Sequence, residues 1–132
     1  MKNINQFDKK GKKTGYWEHY HPNGKLSSKG NYENGNRVRF WEYYYFNGQL
    51  QCKGNYDLNG NRVGYWELYH YSNGKLSGKG NYEKGNRVGN WEYYYSNGNL
   101  FSKGKYENDK SVGYWECYYP NGKLSTKEYY IR

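Results

Sequence analysis

The sequence contains no alanine and few of the aliphatic residues that fill most protein cores. Only 13 of its 132 residues are Leu, Ile or Val, and no apolar run approaches the roughly 20 residues of a membrane-spanning helix. Because alanine is the best helix former, its absence argues against a helical bundle. The composition therefore excludes a transmembrane helix and makes a large aliphatic core improbable.

Cysteine and proline are also scarce, with two residues of each. Cys52 and Cys117 lie 65 residues apart and form no CxxC motif, so we expect free thiols in a reducing compartment. The first residues lack the apolar stretch of a signal peptide, which makes a cytoplasmic location the expectation.

Aromatic side chains supply most of the hydrophobic content, with 20 Tyr, 5 Trp and 4 Phe. A polar chain with a net charge of +9 can be disordered, but so many rings bury enough area to favour a folded protein. Five lysines against Asp8 give residues 1–13 a net charge of +4. We therefore divide the chain into a basic N-terminal arm with a half-repeat strand (1–13) and one repeat domain (14–132).

A repeat of 24 or 25 residues runs through that domain. It is marked by five tryptophans, Trp17, Trp41, Trp66, Trp91 and Trp115. Each Trp is followed directly by Glu, and a Tyr lies three places after the Trp. An Asn-Gly pair, a leucine and usually Lys-Gly-x-Tyr come next. A period of this length points to a repeat architecture.

Each unit is predicted to be a β-hairpin, because Asn-Gly between aromatic and β-branched residues is a strong hairpin signal. The connections are too short for parallel pairing. The predicted fold is therefore all-β, a single-layer, curved antiparallel meander of about ten strands built from five hairpin repeats. A short extra strand at 4–7 would complete it. Folding of the sheet over itself is the other possibility.

The register follows from the turns. A four-residue loop, Pro22–Lys25, places Glu18 opposite Lys29 and Trp17 opposite Gly30. A three-residue loop is the alternative and would move Leu26 to the other face. The extra residue near His70 requires a bulge. In the favoured register one face is aromatic and the other carries Glu, Lys and Tyr. The tryptophans and the glycines Gly30, Gly54, Gly80 and Gly104 are then structural.

The segments Gly64–Tyr69, Asn73–Leu76 and Gly80–Gly85 resemble the MORN-repeat variant, G-x-W-x-x-Y-(Y)-x-N-G-x-L-x-x-x-G-x-Y-x-x-G. The resemblance covers nearly the whole chain and implies an elongated, curved sheet of stacked hairpins without catalytic residues. Many bacterial members, including those of the YwqK type, are antitoxin or immunity components, and other members are scaffolds. Arg39, Phe40, Asn90 and the Asp109-Lys110 turn depart from the pattern.

The favoured function is a non-catalytic protein-binding scaffold, most plausibly a stoichiometric inhibitor of a toxin or effector enzyme. Tyr, Trp and Arg dominate interface energetics, and specificity is expected where the units differ. The candidate partner-binding residues are His19, His21, Tyr43, Tyr45, Leu68, His70, Tyr93 and Tyr95, with Phe101 as an unpaired ring on the other face. Arg37, Arg62 and Arg87 are expected to form a basic edge.

Other functions have weaker support in the sequence. Single-stranded nucleic acid is the alternative partner, since such binders combine stacking rings with cations. Membrane contact through Lys9–Lys13 and a sugar site are less favoured. His19, His21, His70 and Cys52 are better explained as repeat positions than as metal ligands. No cofactor or enzymatic activity is expected. The molecule is predicted to be a monomer or a dimer paired along the strand near 126–131.

Overall fold

The computed structural model describes residues 3–132 and shows one open, curved antiparallel sheet in which each strand pairs with its sequence neighbours. Its eleven strands are β1 (Gln6–Phe7), β2 (Lys13–Tyr20), β3 (Leu26–Glu33), β4 (Asn36–Tyr44), β5 (Leu50–Tyr56), β6 (Arg62–Tyr69), β7 (Leu76–Glu83), β8 (Asn86–Tyr94), β9 (Leu100–Glu107), β10 (Lys110–Tyr118) and β11 (Leu124–Tyr130). The predicted meander is confirmed. Met1 and Lys2 of the predicted arm lie outside the described residues.

The N-terminal segment behaves as half a repeat. β1 pairs with β2, and Asp8–Lys12 form the turn that joins them, with Asp8 Oδ1 accepting from the amides of Lys10 and Lys12. The side chain of Asn5 bonds to both the amide and the carbonyl of Glu18, at 2.8 and 3.2 Å. These contacts satisfy backbone groups of β2 beyond the short β1.

The register within each hairpin is as predicted away from the turn. Glu18 lies opposite Lys29, Trp17 lies opposite Gly30, and Trp115 lies opposite Glu128 in the last hairpin. The expected four-residue loop is wrong. The amide of His21 donates to the carbonyl of Lys25, which leaves a three-residue loop with Gly24 at φ +86.

A bulge reconciles the three-residue loop with the predicted register. The pairing shifts after His19, so that Tyr20 lies opposite Leu26 and Ser27 is the extra residue. Leu26 therefore lies on the same face as Tyr20, since directly opposed residues share a face. In the third hairpin the extra residue lies in the loop, where His70 pairs with Lys75 across four residues.

Two kinds of turn join consecutive units. The turn at Asp57–Asn61 resembles those within hairpins, with a three-residue loop and positive φ at Gly60 alone. Asn34-Gly35 and Lys84-Gly85 have positive φ at both central residues, the signature of a two-residue type I′ turn. The Asn-Gly pairs within hairpins have positive φ only at glycine, and their asparagine bonds to a backbone amide two residues on. Asn-Gly within a hairpin therefore does not form the two-residue type I′ turn that this dipeptide usually indicates, whereas Asn34-Gly35 between units does.

Trp41, Trp66, Trp91 and Trp115 are each the last residue of a bulge between consecutive hairpins. In the second unit, Val38 lies opposite Asn31 and Glu42 opposite Lys29, so that three residues, 39–41, face Gly30 alone. The residue two places before Trp has positive φ, from 69 to 71 at Gly15, Gly64, Gly89 and Gly113 and 59 at Arg39. This conformation carries the indole back over the preceding strand.

Candidate partner-binding face

The core of the molecule is one row of aromatic rings on one side of the sheet, which we call the aromatic face. Tyr and Trp alternate edge-to-face along it, with centroids 5.0 Å apart for Tyr32 and Trp41 and 5.3 Å for Tyr56 and Trp66. The whole row comprises Phe7, Trp17, Tyr32, Trp41, Tyr56, Trp66, Tyr82, Trp91, Tyr106, Trp115 and Tyr130. Such pairs contribute roughly 0.5–1.5 kcal/mol each beyond the area they bury.

The four glycines predicted to be structural make room for these indoles, but the indole comes from the following unit. A Cβ on Gly30 would lie 2.3 Å from a ring carbon of Trp41, whereas the backbone partner of Gly30 is Trp17. Gly54, Gly80 and Gly104 receive Trp66, Trp91 and Trp115 in the same way. The predicted register, with each glycine opposite the Trp of its own hairpin, is confirmed, but the indole that packs over the glycine comes from the next hairpin. Glu128 takes the glycine position in the last unit.

A hydrogen bond fixes each indole in this position. The Nε1–H of Trp41 donates to the carbonyl of Asn31 at 3.0 Å, and that of Trp66 donates to Asn55 at 3.1 Å. Trp17 uses the carbonyl of Gln6 in β1 in the same way, at 3.1 Å. Units are therefore joined by an indole that packs and donates across their boundary.

The residues two places after Trp lie beside the row of rings, half-buried on the aromatic face: His19, Tyr43, Leu68, Tyr93 and Cys117. Tyr43 and Tyr56 share a hydroxyl hydrogen bond of 2.5 Å, and Tyr93 and Tyr106 one of 2.9 Å. Leu68 has no hydroxyl, and the neighbouring Tyr82 accepts from Arg62 instead. The units thus differ at this position, which carries His, Tyr, Leu, Tyr and Cys in turn.

The candidate residues four places after Trp make contacts between units. The tips of Tyr45 and Tyr95 donate to the carbonyls of Tyr69 and Tyr118, at 2.7 and 2.6 Å. His21 and His70 make the corresponding contacts through Nε2 to the carbonyls of Tyr44 and Tyr94, at 2.9 and 2.8 Å. Because a carbonyl only accepts, Nε2 carries the proton in both histidines. A partner would meet the flanks of these rings.

The prediction that Phe101 is an unpaired ring on the opposite face is wrong. The residue lines a groove of the aromatic face with Tyr93 and Trp115. It occupies the bulge position of the fourth hairpin, between the pairs that Leu100 and Ser102 form with the preceding strand. Its ring packs edge-to-face on Tyr95, with centroids 5.0 Å apart, and 45% of the residue is exposed.

The predicted basic edge lies on the aromatic face, each arginine opposite a tyrosine of the row. Arg62 covers Trp66 at 4.3 Å and Arg87 covers Tyr106 at 4.1 Å, while Arg37 lies 5.4 Å from Trp41. Lys13 holds the same place in the first unit, 5.0 Å from Trp17, and was missed in the analysis of the sequence. Alignment on the residue after the turn would have found it.

The opposite face carries a ladder of charges. Lys29 pairs with Glu42 of the next unit at 3.5 Å, and Lys53 pairs with Glu67 at 3.7 Å. These ion pairs cross between hairpins, although the sequence analysis placed them within hairpins. Exposed rings that were not among the candidates also line this face, directly before three of the five Trp residues: Phe40, Tyr65 and Tyr114.

Burial changes the acidity of several groups on the aromatic face. It raises the pKa of Tyr43 and Tyr106 well above 10, and the hydrogen bond that each shares with a second tyrosine adds to the effect. Burial lowers the pKa of His19, followed by the charges of Lys13 and Arg37. The face therefore holds neutral phenols and a neutral imidazole beside permanent cations at neutral pH.

The described part of the chain offers little for catalysis or metal binding. Among residues 3–132, no three His, Cys, Asp or Glu side chains lie close enough together to hold a metal ion. Cys52 and Cys117 are free thiols, and burial raises the pKa of Cys52. None of the described residues forms a helix long and apolar enough to cross a membrane.

A family model described as MORN repeat variant matches residues 13–34, 41–58, 87–108 and 111–132, which together are more than half of the chain. The unit around Trp66 lies between the matched segments and builds the same hairpin with a longer loop. No curated protein matches this sequence. Repeats of this kind generally form non-catalytic binding scaffolds. On the matched segments and the hairpin geometry, the chain belongs to the MORN repeat variant family.

Proposed function

We propose that this chain acts in the cytoplasm as a stoichiometric inhibitor, of the antitoxin or immunity type, that binds a toxin or effector enzyme through its aromatic face. The observation that carries the proposal is the uncovered aromatic face itself. Among residues 3–132 no second layer covers it, and half-buried Tyr, His, Leu and Arg side chains border its row of rings. Tyr, Trp and Arg are the residues that most often supply binding energy at protein interfaces.

Base stacking has less support. It needs a free ring face, whereas Trp41 and Trp66 are fully buried among neighbouring tyrosines and arginines. On the opposite face, the exposed ring of Phe40 shares a groove with the ion pair of Lys29 and Glu42, and Tyr114 has a cation beside it, Lys127 at 4.9 Å. We therefore propose a protein partner and keep nucleic acid as an outcome of the tests.

The experiment co-expresses the chain with the product of its neighbouring gene and measures the mass of the complex and the activity of that product. We expect a one-to-one complex in which the activity is lost. Phe101→Glu places a charge on the aromatic face, and Phe40→Glu is the matched control on the opposite face, since the two rings are 45% and 48% exposed. We expect the first variant to weaken the complex at least tenfold and the second to leave it unchanged.

Two results would overturn the proposal. One is the absence of a complex between two folded proteins. The other is a complex that Phe40→Glu disrupts and Phe101→Glu does not, which would place the interface on the charged ladder.

A further inference from the structure

A line of cations crosses the aromatic face, with one residue in each of the first four units. Lys13, Arg37, Arg62 and Arg87 each follow a turn between units and lie opposite Phe7, Tyr32, Tyr56 and Tyr82. The fifth unit has Ser111 at this position, opposite Tyr106. The charges are therefore confined to the N-terminal four units.

Three of these cations lack a carboxylate partner. Within residues 3–132, ion pairs involve four lysines of the opposite face, Lys29, Lys53, Lys79 and Lys103, and also join Arg87 to Asp109 and Arg132 to Glu107. Lys13, Arg37 and Arg62 take part in none of them. Their neighbours are aromatic rings and tyrosine hydroxyls, which leave a full positive charge. The N-terminal part of the face is thus electrostatically complementary to an acidic partner.

Acidic groups appear at the other end of the same face. Asp109 is held by Arg87 through its side chain, and hydrogen bonding to that arginine lowers the pKa of the carboxyl group. Glu128 lies beside Tyr130, whose hydroxyl donates to it at 3.0 Å. An acidic segment that reached these units would meet like charges. It would therefore be restricted to the first three.

Between the first two cations runs a groove of about 310 Å³. It is lined by Lys13, Arg37, Tyr32, Asn36 and Asn59, together with Gly35 and Gly60. The described residues that line the groove include no carboxylate. Amide groups there can bond to a backbone that has no hydrogen-bonding partners of its own.

The spacing of the cations selects a conformation for the partner. They recur on every second strand, which corresponds to about 9.6 Å at the usual distance between strands. A polyproline II helix rises about 3.1 Å per residue with three residues per turn, so that every third side chain recurs at about 9.3 Å. Alternate residues of a β-strand recur at only about 6.7 Å. The first spacing fits the row of cations, and the second does not.

We propose that the aromatic face binds an extended, polyproline II-type segment of the partner protein that carries a carboxylate at every third residue. Its carboxylates pair with Lys13, Arg37 and Arg62, and its intervening residues lie against the half-buried rings of the same face, His19, Tyr43 and Tyr56. Such segments are commonly bound in grooves lined by aromatic side chains. This inference rests on the proposed function in that the segment belongs to the protein partner.

The test uses three synthetic peptides of equal length and the complete chain. One peptide repeats Glu-Pro-Pro three times, the second has three glutamates at every second position, and the third replaces each Glu of the first by Gln. Affinity is measured by fluorescence anisotropy at low and high salt. We expect the first peptide to bind at least tenfold more tightly than either of the others, and to weaken as salt screens the charges.

Variants of the cations locate the site. Arg37→Gln and Arg62→Gln should each weaken binding of the Glu-Pro-Pro peptide about tenfold, and the pair together about a hundredfold. Arg39→Gln is the matched control, because Arg39 is also exposed but lines a groove with Lys29 and Glu42 on the opposite face. Circular dichroism checks that each variant retains its sheet.

Each contrary outcome overturns the inference. Equal affinity for the first two peptides removes the spacing argument, and loss of binding in Arg39→Gln moves the site to the other face. Tighter binding of single-stranded RNA at the same three cations would assign them to nucleic acid. A one-to-one complex with the neighbouring gene product that tolerates Arg37→Gln and Arg62→Gln would retain the proposed function and reject the acidic segment. Binding of the Glu-Pro-Pro peptide without a complex with the neighbouring gene product would reject the proposed function and retain the site for an acidic segment.

Discussion

Gly80 shows how much of this fold depends on the absence of a side chain. A Cβ at this position would lie 2.2 Å from two ring carbons of Trp91, and Trp91 is almost completely buried. The indole is also held by its hydrogen bond to the carbonyl of Asn81. The ring therefore has no direction in which to retreat without losing either a contact or a hydrogen bond.

Gly80→Ala is expected to destabilise the protein by about 3 kcal/mol or more, since overpacking of a closely packed site costs roughly 1–3 kcal/mol and here the ring cannot move. Urea denaturation followed by tryptophan fluorescence measures the change. Gly78→Ala is the matched control on the same strand, because its Cβ would approach the side chains of Tyr93 and Leu68 at 3.0 and 3.3 Å. If both variants unfold at the same urea concentration, the steric account is wrong.

Arg39 occupies a position that is glycine in the other four units and has φ +59. A left-handed conformation costs a residue with a side chain about 1–2 kcal/mol relative to glycine. Arg39→Gly is therefore expected to raise the free energy of unfolding by about 1 kcal/mol. Arg39→Ala separates backbone from charge, since it removes the guanidinium and keeps the strain. Stabilisation by alanine equal to that by glycine would show that charge is responsible.

At the scale of the strand and the hairpin, the repeat in the sequence predicted which residues lie opposite each other. Opposed pairs such as Glu18 and Lys29 follow from the spacing of one unit, and the structure confirms them. The turn was predicted less well. A three-residue loop and a bulge at Ser27 together give the same register as a four-residue loop, so pairing arithmetic does not distinguish them.

The contacts between hairpins were the least predictable part of the candidate face. The positive φ before each Trp offsets consecutive hairpins, and this offset decides which glycine receives an indole and which Glu receives a lysine. The repeat in the sequence does not predict this offset between consecutive hairpins. For the same reason the sequence placed Tyr95 on the aromatic face but gave no indication that its hydroxyl bonds to the following hairpin.

Tyr95→Phe is expected to lower the free energy of unfolding by about 1 kcal/mol, because the carbonyl of Tyr118 loses its donor. Tyr119→Phe provides the control. Tyr119 has the equivalent position in the hairpin of β10 and β11, beyond which the structure describes no further hairpin, and 54% of it is exposed. Urea midpoints of the two variants should differ, with Tyr119→Phe matching the unmodified chain. Equal losses would show that the hydroxyl acts through solvation and not through the hydrogen bond between units.

At the scale of the whole molecule, stability comes from a row of rings in which each unit contacts only its neighbours. No second layer lies over the sheet among residues 3–132, and Trp41, Trp66 and Trp91 are the largest side chains that are fully buried. Repeat proteins of this type derive their stability from the units and from the interfaces between adjacent units. Here each interface is an indole, its glycine and the tyrosines on either side.

Alkaline pH is expected to unfold the molecule. Burial raises the pKa of Tyr43, Tyr69 and Tyr106 above the ordinary value of 10.0, so the folded chain retains protons that the unfolded chain releases. This contribution to stability is fully present below about pH 10 and is lost as the pH rises further. Ionisation of these three phenols, seen as the late part of the tyrosinate absorbance, should therefore coincide with the loss of the circular dichroism signal in one cooperative step.

Tyr43→Phe serves as the control for the alkaline transition. The variant lacks one of these phenols, and its free energy of unfolding should fall less between about pH 9 and about pH 11 than that of the unmodified chain. Gradual ionisation of the tyrosines with the sheet intact would contradict the prediction.

A surface that repeats on every second strand could bind a repetitive peptide in several registers, because the peptide would find nearly the same contacts after a shift by one unit. The aromatic face removes this freedom through the few places where its units are unlike. Leu68 interrupts the series of polar groups after Trp, and Asp109 and Glu128 add negative charge at one end. On the proposed binding face, these three residues would fix the unit at which a bound segment begins.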